Sequence, residues 1–420
     1  MSGKTELKIF DDHPPQVVVE AGYFEDIHPR TSLDDASSIE FYIPASNVDY
    51  LDLNDTLLSI QVKVVKKDGS ALVEADKPVA SNFFMYSLFS DVSLSLNDTT
   101  IEGGSQTYPY KAFIESSLNF NIEAKQTQLN ALGYDTNKQD RKDWLLKSQV
   151  VELVGGLRLD FFNQPKYLIP GVNVRILLTR STADFALTYK DGDTVPEDGI
   201  WKIQFVKAVL YVRRVKVHPA VLKAHNFGLQ TKNAIYPYMR SKVVSFTIPQ
   251  GSSSYFKDNL FSSNLLPKVV VIGLVKGAAF SGTVKHRAFQ FLDHSVSRVD
   301  LLRDGQSIPY RTGYHCDFAS GIYADVYVRS ILQNMNLLNT NNGCGIYLRD
   351  FHINGYTFFV FNLTPDFDLK ERQIVRDSNL RLDLAFKTAV KEAINVVAYA
   401  CYDATLQVTK NCEIIRDGFT

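Results

Sequence analysis

The sequence predicts a mainly β chain in which one β module is used twice, with a few helices in long connecting segments. Apolar and polar residues alternate with a period of two over many short stretches, which is typical of strands with one buried face. Stretches with helical spacing are scarce. Two short patterns also recur in the same order in the second half of the chain, which has 420 residues and is long enough for two domains.

Alternating stretches define the predicted strands. In residues 38–43 every second residue is Ile or Phe, and Pro44 ends the stretch. Residues 58–64 repeat the pattern with Leu, Ile and Val, and Asp68-Gly69 follows as a turn able to adopt positive φ. Residues 268–275 form a continuous apolar run, which indicates a strand buried on both faces. Further strands are predicted at residues 92–96, 151–162, 172–179, 201–217, 244–248, 289–302, 356–363, 380–386 and 396–409.

Helical spacing predicts three helices, at residues 110–118 (continuing toward 128), 220–229 and 322–338. The second of these joins the two modules. Pro219 stands near its first turn and Gly228 near its end, as is common at helix termini. This segment is therefore expected to be a stiff connector that holds the modules in a fixed relation.

The internal duplication depends on two recurring patterns. Phe41-Tyr-Ile-Pro44 matches Phe246-Thr-Ile-Pro249 at an offset of 205 residues (246 − 41). Val92-Ser-Leu-Ser-Leu-Asn-Asp98 matches Val299-Asp-Leu-Leu-Arg-Asp-Gly305 at an offset of 207 residues (299 − 92). Two similar offsets in the same order favour one module used twice.

These patterns divide the chain into five parts. The first 35 residues are polar and contain Pro, so they are expected to form an arm without a core of its own. The predicted parts are an N-terminal arm at 1–35, a first module at 36–217, a helical connector at 218–239, a second module at 240–412 and a C-terminal tail at 413–420.

Composition and charge exclude some classes of protein. The formal net charge is −1, so the chain lacks the surplus of Lys and Arg that condensing DNA requires. The chain has 27 Phe and 21 Tyr against 2 Trp and 4 Met, and Phe and Tyr favour both sheets and subunit interfaces. No apolar run approaches the ~20 residues that a membrane-spanning helix needs, and the first residues resemble no secretory signal. The four Cys, without paired spacing, are expected to be free thiols.

No motif predicts a catalytic, cofactor-binding or metal-binding residue. His315-Cys316-Asp317 places a base, a thiol and a carboxylate in succession, but neighbouring residues of an extended chain point to opposite faces, so a buried loop Cys is favoured. Asp350 and His352 would share a face of an extended chain and could join Asp366 at a metal, although polar residues bonded within the fold are favoured.

Two further groups of residues were weighed as binding surfaces. Arg213, Arg214 and Lys216, followed by His218, form the densest basic run, and a solvated strand edge is favoured over a nucleic-acid site. The tyrosines could line a sugar-binding face, but a core or subunit interface is favoured. These tyrosines are Tyr108, Tyr110, Tyr323 and Tyr327.

A long, ordered set of segments resembles a known family. The set begins at Pro78-Val-Ala-Ser-Asn-Phe-Phe-Met-Tyr-Ser-Leu-Phe-Ser-Asp-Val-Ser-Leu-Ser-Leu-Asn97 and continues to the apolar strand that ends near residue 275. It is similar to the major capsid proteins of Polinton (Maverick) elements and adintoviruses. Within it, Val154-Gly155-Gly156 departs from the tighter pattern expected of that family. The other matching segments are residues 107–115, 124–129, 151–162, 166–180, 212–217, 224–225 and 258–261.

The resemblance implies an all-β fold of two tandem eight-stranded jelly rolls (a double jelly-roll), with a few short helices in long loops. It also implies a homotrimer of pseudo-hexameric outline that tiles an icosahedral capsid around double-stranded DNA, with separate penton and minor capsid proteins as partners. Such a virion protein would have no enzymatic activity, no cofactor and no specific nucleic-acid binding. The alternative is a carbohydrate-binding or glycan-cleaving double jelly-roll protein, since one fold can carry unrelated functions.

Overall fold

The structure, a computed structural model, describes residues 17–34, 37–74, 76–135, 138–189, 197–262, 265–367, 369, 371–372 and 378–417. Strands of the first half are β1 (Val19–Ile27), β2 (Ser38–Ile43), β3 (Tyr50–Lys66), β4 (Val79–Ala80), β5 (Phe89–Leu96), β6 (Thr99–Glu102), β7 (Val151–Gly156), β8 (Val174–Arg180), β9 (Leu187–Thr188) and β10 (Trp201–Val217). Those of the second half are β11 (Ala234–Ile248), β12 (Ser254–Lys257), β13 (Val269–Lys276), β14 (Val296–Arg303), β15 (Gln306–Ile308), β16 (Tyr314–His315), β17 (Phe358–Asn362), β18 (Leu380–Phe386), β19 (Ile394–Val408) and β20 (Ile414–Arg416).

The helices are short and lie between the strands. They are α1 (Phe84–Ser87), α2 (Tyr108–Asn119), α3 (Ile122–Gln126), α4 (Lys138–Asp143), α5 (Ala183–Ala186), α6 (Pro219–Gly228), α7 (Gly277–Ser281), α8 (Ala324–Tyr327) and α9 (Leu348–His352). Single 3-10 turns occur at Asn130–Leu132, Leu146–Ser148, Asp160–Asn163 and Phe318–Ser320, and a π-helical turn at Val328–Gln333.

The first module is a pair of four-stranded antiparallel sheets, with strand orders β1-β10-β3-β7 and β2-β8-β5-β6. The minor strands β4 and β9 pair only with each other. Counted in chain order within the module, one sheet holds strands one, eight, three and six, and the other holds two, seven, four and five. This winding is that of a jelly roll, in which each sheet lays its apolar face against the other.

The second module repeats the same winding, with strand orders β11-β19-β13-β17 and β12-β18-β14-β15. Two short strands are added, β20 beside β19 and β16 beside β14. The prediction of two tandem eight-stranded jelly rolls with short helices in the connections is therefore confirmed.

One of the two recurring patterns marks an equivalent hairpin in both modules. Asn97 and Asp98, between β5 and β6, have φ of 43° and 64°, and Asp304 and Gly305, between β14 and β15, have φ of 49° and 84°. Two successive residues with positive φ are characteristic of the type I′ turn that suits a two-residue hairpin. These hairpins join the fourth and fifth strands of each module, so this match reflects the duplication.

The other pattern is a wrong match. Phe41–Pro44 ends β2, the second strand of its module, whereas Phe246–Pro249 ends β11, the first strand of the second module. Because an apolar strand that stops at Pro is common chemistry, a short match of this kind does not establish equivalence.

The structure corrects several predicted boundaries. Within the predicted arm, residues 1–16 and 35 lie outside the described residues, but β1 pairs with β10 along its length and belongs to the first jelly roll. Sequence alternation misses β1 because this edge strand is exposed on both faces. In the predicted connector 218–239, helix α6 occupies 219–228, as expected, but β11 already begins at residue 234. In the predicted tail, β20 pairs with β19, and residues 418–420 lie outside the described part.

Predicted strands agree best with the structure where one face is fully buried. In β2 the side chains alternate strictly between buried and partly buried, and β13 is buried on both faces as predicted. The predicted strand at 151–162 is too long, since β7 ends at Gly156 and residues 160–163 form a 3-10 turn. The short strands β6, β12, β15 and β16 escape prediction because two to four residues show no usable periodicity.

Candidate functional site: the junction between the modules

The junction between the modules is built around helix α2, which follows β6 in the first jelly roll. Nearly all side chains of α2 are buried, including those on the face opposite its own module. A helix buried on all sides must pack between two bodies. Its partners across the junction include residues of the second jelly roll between α7 and β14 and in β17 and β19.

A cluster of aromatic rings forms the apolar part of the junction. Phe113 of α2 is 2% exposed, and its ring stacks on Phe289 of the second module with centroids 4.7 Å apart. Phe291 lies 5.8 Å from the Phe113 centroid, and Phe83 of the first module meets the ring edge-on at 5.6 Å. Tyr110, one turn earlier, stacks on Phe280 at 5.1 Å. Rings at these separations attract one another beyond their area burial.

A buried ionic cluster forms the polar part of the junction. The Lys111 Nζ atom lies 2.8 Å from Oδ1 of Asp160 and also forms an ion pair with Glu102. The second Glu102 carboxylate oxygen accepts the backbone N–H of Asp160 at 2.7 Å. Across the junction, the backbone N–H of Ser241 in β11 donates to Asp160 Oδ2 at 2.6 Å, so one lysine and two carboxylates of the first module are joined to the second.

A third carboxylate extends this cluster into the second module. The hydroxyl of Tyr399 in β19 donates to Oε1 of Glu115 at 3.1 Å. Burial raises the pKa of Glu115 to about 7 and that of Glu102 to about 8, and the charge of Asp160 adds to both effects. Burial opposes the charge on Lys111, but the carboxylates around it outweigh this effect and keep its pKa well above the usual value.

Clusters with shifted pKa values occur at catalytic sites, but this one binds the fold together. Lys111 is 7% exposed and Asp160 4% exposed, and their charged atoms are bonded to each other or to the neighbouring module. The sequence contains one signal of this cluster, a Lys within the apolar, helically spaced stretch at 110–118. The carboxylates that pair with this Lys, those of Glu102 and Asp160, lie outside the stretch. Because no local pattern links them to Lys111, the sequence analysis missed the site.

Two further contacts tie the modules together near the helices. The Lys125 Nζ atom of α3 donates to the carbonyl oxygens of Ser117 at 2.7 Å and Cys344 at 2.6 Å. A side chain at Gly345, whose φ is 68°, would meet Ile122 at 3.2 Å, so the backbones of the two connections approach closely here.

Residues 315–317 do not form a nucleophilic site. Cys316 is 7% exposed and its thiol donates to the carbonyl of Val296 at 3.3 Å. Burial raises its pKa to about 12, which keeps the thiol protonated at neutral pH. His315 contacts the Thr312 carbonyl instead, and Asp317 pairs with Lys387.

The metal hypothesis requires Asp350 and His352 to lie on an extended chain. The structure places both residues in the helix α9 instead. Asp350 accepts the Tyr347 backbone N–H, which closes the first turn of the helix. His352 Nδ1 contacts Asp293 Oδ2 at 3.2 Å. Across the described residues, no group of three or more His, Cys, Asp or Glu side chains is arranged to hold a metal ion.

The basic run at 213–216 lies inside a sheet, which corrects the prediction of a strand edge. β10 is hydrogen-bonded to β1 on one side and to β3 on the other. Arg213 pairs with Asp52 and Asp55, and Arg214, 5% exposed, pairs with Glu25. His218 instead caps α6 by accepting the Ala220 N–H. These contacts neutralise the run within the fold.

The tyrosines divide between core and surface. Tyr108 is buried against Tyr86 of the first module, and Tyr110 is buried in the junction. Tyr323 is half-buried and stacks on Phe318 at 5.2 Å, and the hydroxyl of Tyr327 donates to the Ile346 carbonyl at 2.9 Å. None of the four forms an open aromatic face.

Among the described residues, the helices are all too short or too polar to cross a bilayer.

Large apolar side chains are exposed on both modules. Phe24 of β1 is 55% exposed and Phe256 of β12 is 59% exposed. Both strands stand at the edge of their sheets. Ile322 and, in the connector helix, Phe227 are exposed by 66% and 71%. Exposed aromatic residues on edge strands are features of subunit interfaces.

Comparison with known proteins identifies the fold. No family model matches the sequence. An uncharacterised protein of Caenorhabditis elegans, F54H12.2, is 26% identical over 385 residues, covering 87% of this chain and 89% of that protein.

Solved structures with the same fold come from viruses. A chain of the Sputnik virophage structure aligns with a TM-score of 0.65 and 12% identity, covering 99% of this chain and 92% of that one. A chain of the PBCV-1 virus capsid aligns with a TM-score of 0.60 and 11% identity, covering 98% of this chain and 100% of that one. The major capsid protein of mavirus aligns with a TM-score of 0.56 and 10% identity, covering 99% and 93%. The chain therefore has the double jelly-roll fold of these proteins.

Proposed function

We propose that this chain is a major capsid protein of the Polinton and adintovirus kind. Three copies form a capsomer of pseudo-hexameric outline, and capsomers tile an icosahedral shell around a double-stranded DNA genome. Its partners are further copies of itself, a penton protein and minor capsid proteins, and its location is the virion. It has no enzymatic activity and binds no specific nucleic-acid sequence.

The observation that carries this proposal is the correspondence of the fold over both modules. The alignment with the Sputnik chain covers 99% of this chain, and similar structures include a virus capsid and a major capsid protein. A carbohydrate-binding protein needs only one such module with one open site. The match over both modules of this chain therefore favours a building block of a shell over a carbohydrate-binding protein.

The junction supports the same conclusion on physical grounds. A capsomer keeps its outline only if its two modules cannot move against each other. Here stacked rings such as Phe113 and Phe289 and buried polar contacts such as Asp160 with Ser241 join the modules. Interfaces that are this apolar and densely bonded behave as part of one rigid body.

The exposed surface supports self-association through unlike faces. Phe24 and Phe256 lie on edge strands of different modules. A contact between the first module of one copy and the second module of the next is heterologous, and three such contacts close into a ring when the rotation between copies is one third of a turn. The near-neutral formal charge of −1 avoids strong repulsion between crowded copies.

Solution mass by light scattering, followed by negative-stain imaging of the same sample, tests the proposal. Three copies of 47.3 kDa have a mass of about 142 kDa (3 × 47.3), and hexagonal particles of that mass or larger shells are expected. A stable monomer of 47.3 kDa at high concentration would contradict the capsid role. Glycan-array screening would then test the carbohydrate-binding alternative.

We further propose that residues 124–143 and 333–350 contribute the outer projections or inter-subunit contacts of the capsomer. Deleting the first segment would not test this cleanly, because Leu129 and Leu132 anchor it in the core. Ala131, which is exposed, offers a milder change. If Ala131→Asp assembles as well as the parent protein in the light-scattering assay, this segment makes no essential contact near that residue.

A further inference from the structure

A cavity of about 430 Å³ lies where the connections of the two jelly rolls meet, beside the aromatic cluster. Its first-module wall includes Asn82, Lys125 of α3 and Arg141 of α4. Its second-module wall includes Arg287 and Asp350. The volume lies within the range of sites that hold small organic molecules.

Arg141 is a buried cation with bonding capacity left over. It is 7% exposed, and its Nη1 donates to the carbonyl of Ala80 at 2.7 Å. Its Nε–H is buried and has no hydrogen-bond partner in the structure. Burial outweighs the influence of the nearby Asp135 and lowers the pKa of Arg141 to about 10. A guanidinium has five N–H donors, and leaving one buried without an acceptor costs free energy.

Lys125 presents a second buried cation to the same cavity. It is 1% exposed, and its ammonium donates to the carbonyls of Ser117 and Cys344, which leaves the third N–H available. No described carboxylate forms an ion pair with it, and burial lowers its pKa to about 8. A lysine held charged in such a place benefits from an anion nearby.

Lys125 and Arg141 are the buried cations of this wall with N–H donors left over. Asp350, a carboxylate of the same wall, is already engaged, because it accepts from the backbone N–H of Tyr347 at 3.3 Å and from the side chain of Asn354 at 2.6 Å. A phosphate group has three terminal oxygens and so can accept from both cations at once, whereas a carboxylate has two.

We propose that this cavity binds a small phosphomonoester, with the phosphate between Arg141 and Lys125. The rest of the molecule packs against the aromatic side of the wall, formed by Tyr134, Tyr356 and Phe289. Charged guanidinium and ammonium groups make strong hydrogen bonds to phosphate oxygens. Because both jelly rolls contribute to the wall, the bound ligand stabilises the junction between them. This site is independent of the proposed capsid role.

Isothermal titration calorimetry on the full chain tests the site with four probes: adenosine 5′-monophosphate, inorganic phosphate, adenosine and benzoate. The phosphomonoester is expected to bind saturably at one per chain and more tightly than inorganic phosphate, and adenosine is expected not to bind. Arg141→Gln is expected to weaken binding at least about tenfold. Arg213→Gln, which changes an arginine paired with Asp52 and Asp55 outside the cavity, is the matched control and is expected to bind as the parent does.

The fold of each variant is checked by circular dichroism and thermal unfolding. If Arg141→Gln does not fold, Arg141→Lys replaces it, since it keeps the charge, removes only part of the bonding capacity and should weaken binding by a smaller factor. Absence of saturable binding by the phosphate probes would overturn the proposal. So would binding that is equal in the parent and in every cavity variant, and benzoate binding as tightly as the phosphomonoester would assign the cavity to carboxylates instead. Light scattering on the same samples reports assembly separately.

Discussion

Replacing Phe113 by Ala should strongly destabilise the whole chain, because the ring joins the two jelly rolls. Phe113 is 2% exposed and is surrounded by rings of both modules. Removing a fully buried Phe typically costs 3–5 kcal/mol, so a loss of about 4 kcal/mol in the free energy of unfolding is expected. Phe227→Ala is the matched control: that ring is 71% exposed, and its removal should change stability by less than about 0.5 kcal/mol.

Urea unfolding followed by tryptophan fluorescence measures this effect. The chain has two tryptophans, Trp144 and Trp201, and both belong to the first jelly roll. Phe291→Ala, a change in the second jelly roll beside Phe113, should therefore shift the fluorescence transition of the first one as well. That result requires the two modules to unfold together.

Two outcomes would refute this reasoning. A loss below about 1 kcal/mol for Phe113→Ala would mean that the junction relaxes around the missing ring. An unchanged tryptophan transition in Phe291→Ala would mean that the jelly rolls unfold independently, so the junction would not hold them in a fixed relation. A double-mutant cycle between Phe113 and Phe289 should give a coupling of about 0.5–1.5 kcal/mol from the stacked pair.

Three further predictions concern charge, pH and turn geometry. Lys111→Met should lower the free energy of unfolding in urea by about 3–5 kcal/mol, because it leaves buried carboxylates without their cation. A change near zero would show that water already reaches these carboxylates. The pKa values of Glu102 and Glu115 are raised by folding to about 8 and 7, so their contribution to stability is present below pH 4.5 and lost as pH rises through 7 to 8. Chemical denaturation at pH 5.5 and 8.5 should show this loss in the free energy of unfolding, which is about 2 to 3 kcal/mol for Glu115. Glu115→Gln should reduce the loss. If the variant lost as much stability as the parent between these pH values, another group would be responsible for the pH dependence. Gly305→Ala should lower stability by about 1–2 kcal/mol, because a φ of 84° is strained for Ala although the space around it is open. Gly228→Ala in α6 should instead raise stability by about 0.5–1 kcal/mol. If thermal unfolding showed a stability change of the same sign for both variants, the turn assignment would be contradicted.

Local patterns were sufficient wherever a strand has at least one fully buried face. β2 and β13 were predicted from alternation and from a continuous apolar run, and α6 from its Pro and Gly positions. The recurring pattern that ends in Asn97-Asp98 and in Asp304-Gly305 was visible in the sequence, and the structure shows that both ends are type I′ hairpin turns. These features depend only on residues close together in the chain, so the sequence carries them directly.

Edge strands were the main failure of pattern reasoning. β1 is exposed on both faces and β12 has only four residues, so neither shows a period. Their place in the jelly rolls depends on hydrogen bonds to β10 and β18, which are distant in sequence. Because this pairing is made by backbone N–H and C=O groups, it depends little on which side chains the strands carry. The sequence therefore shows no clear pattern for it.

The sequence by itself determined the mainly β class, the duplication and the helix of the connector, because each follows from periodicity or local turn chemistry. Only the tertiary structure decided which polar residues are neutralised and which rings meet. In the sequence Arg214 belongs to a basic run, and only the fold places Glu25 beside it. Only the fold likewise brings Lys111 to Asp160, which in turn accepts the backbone N–H of Ser241. Such contacts join residues that are far apart in the chain, and the free energy of a charge or ring depends on what surrounds it rather than on its sequence neighbours.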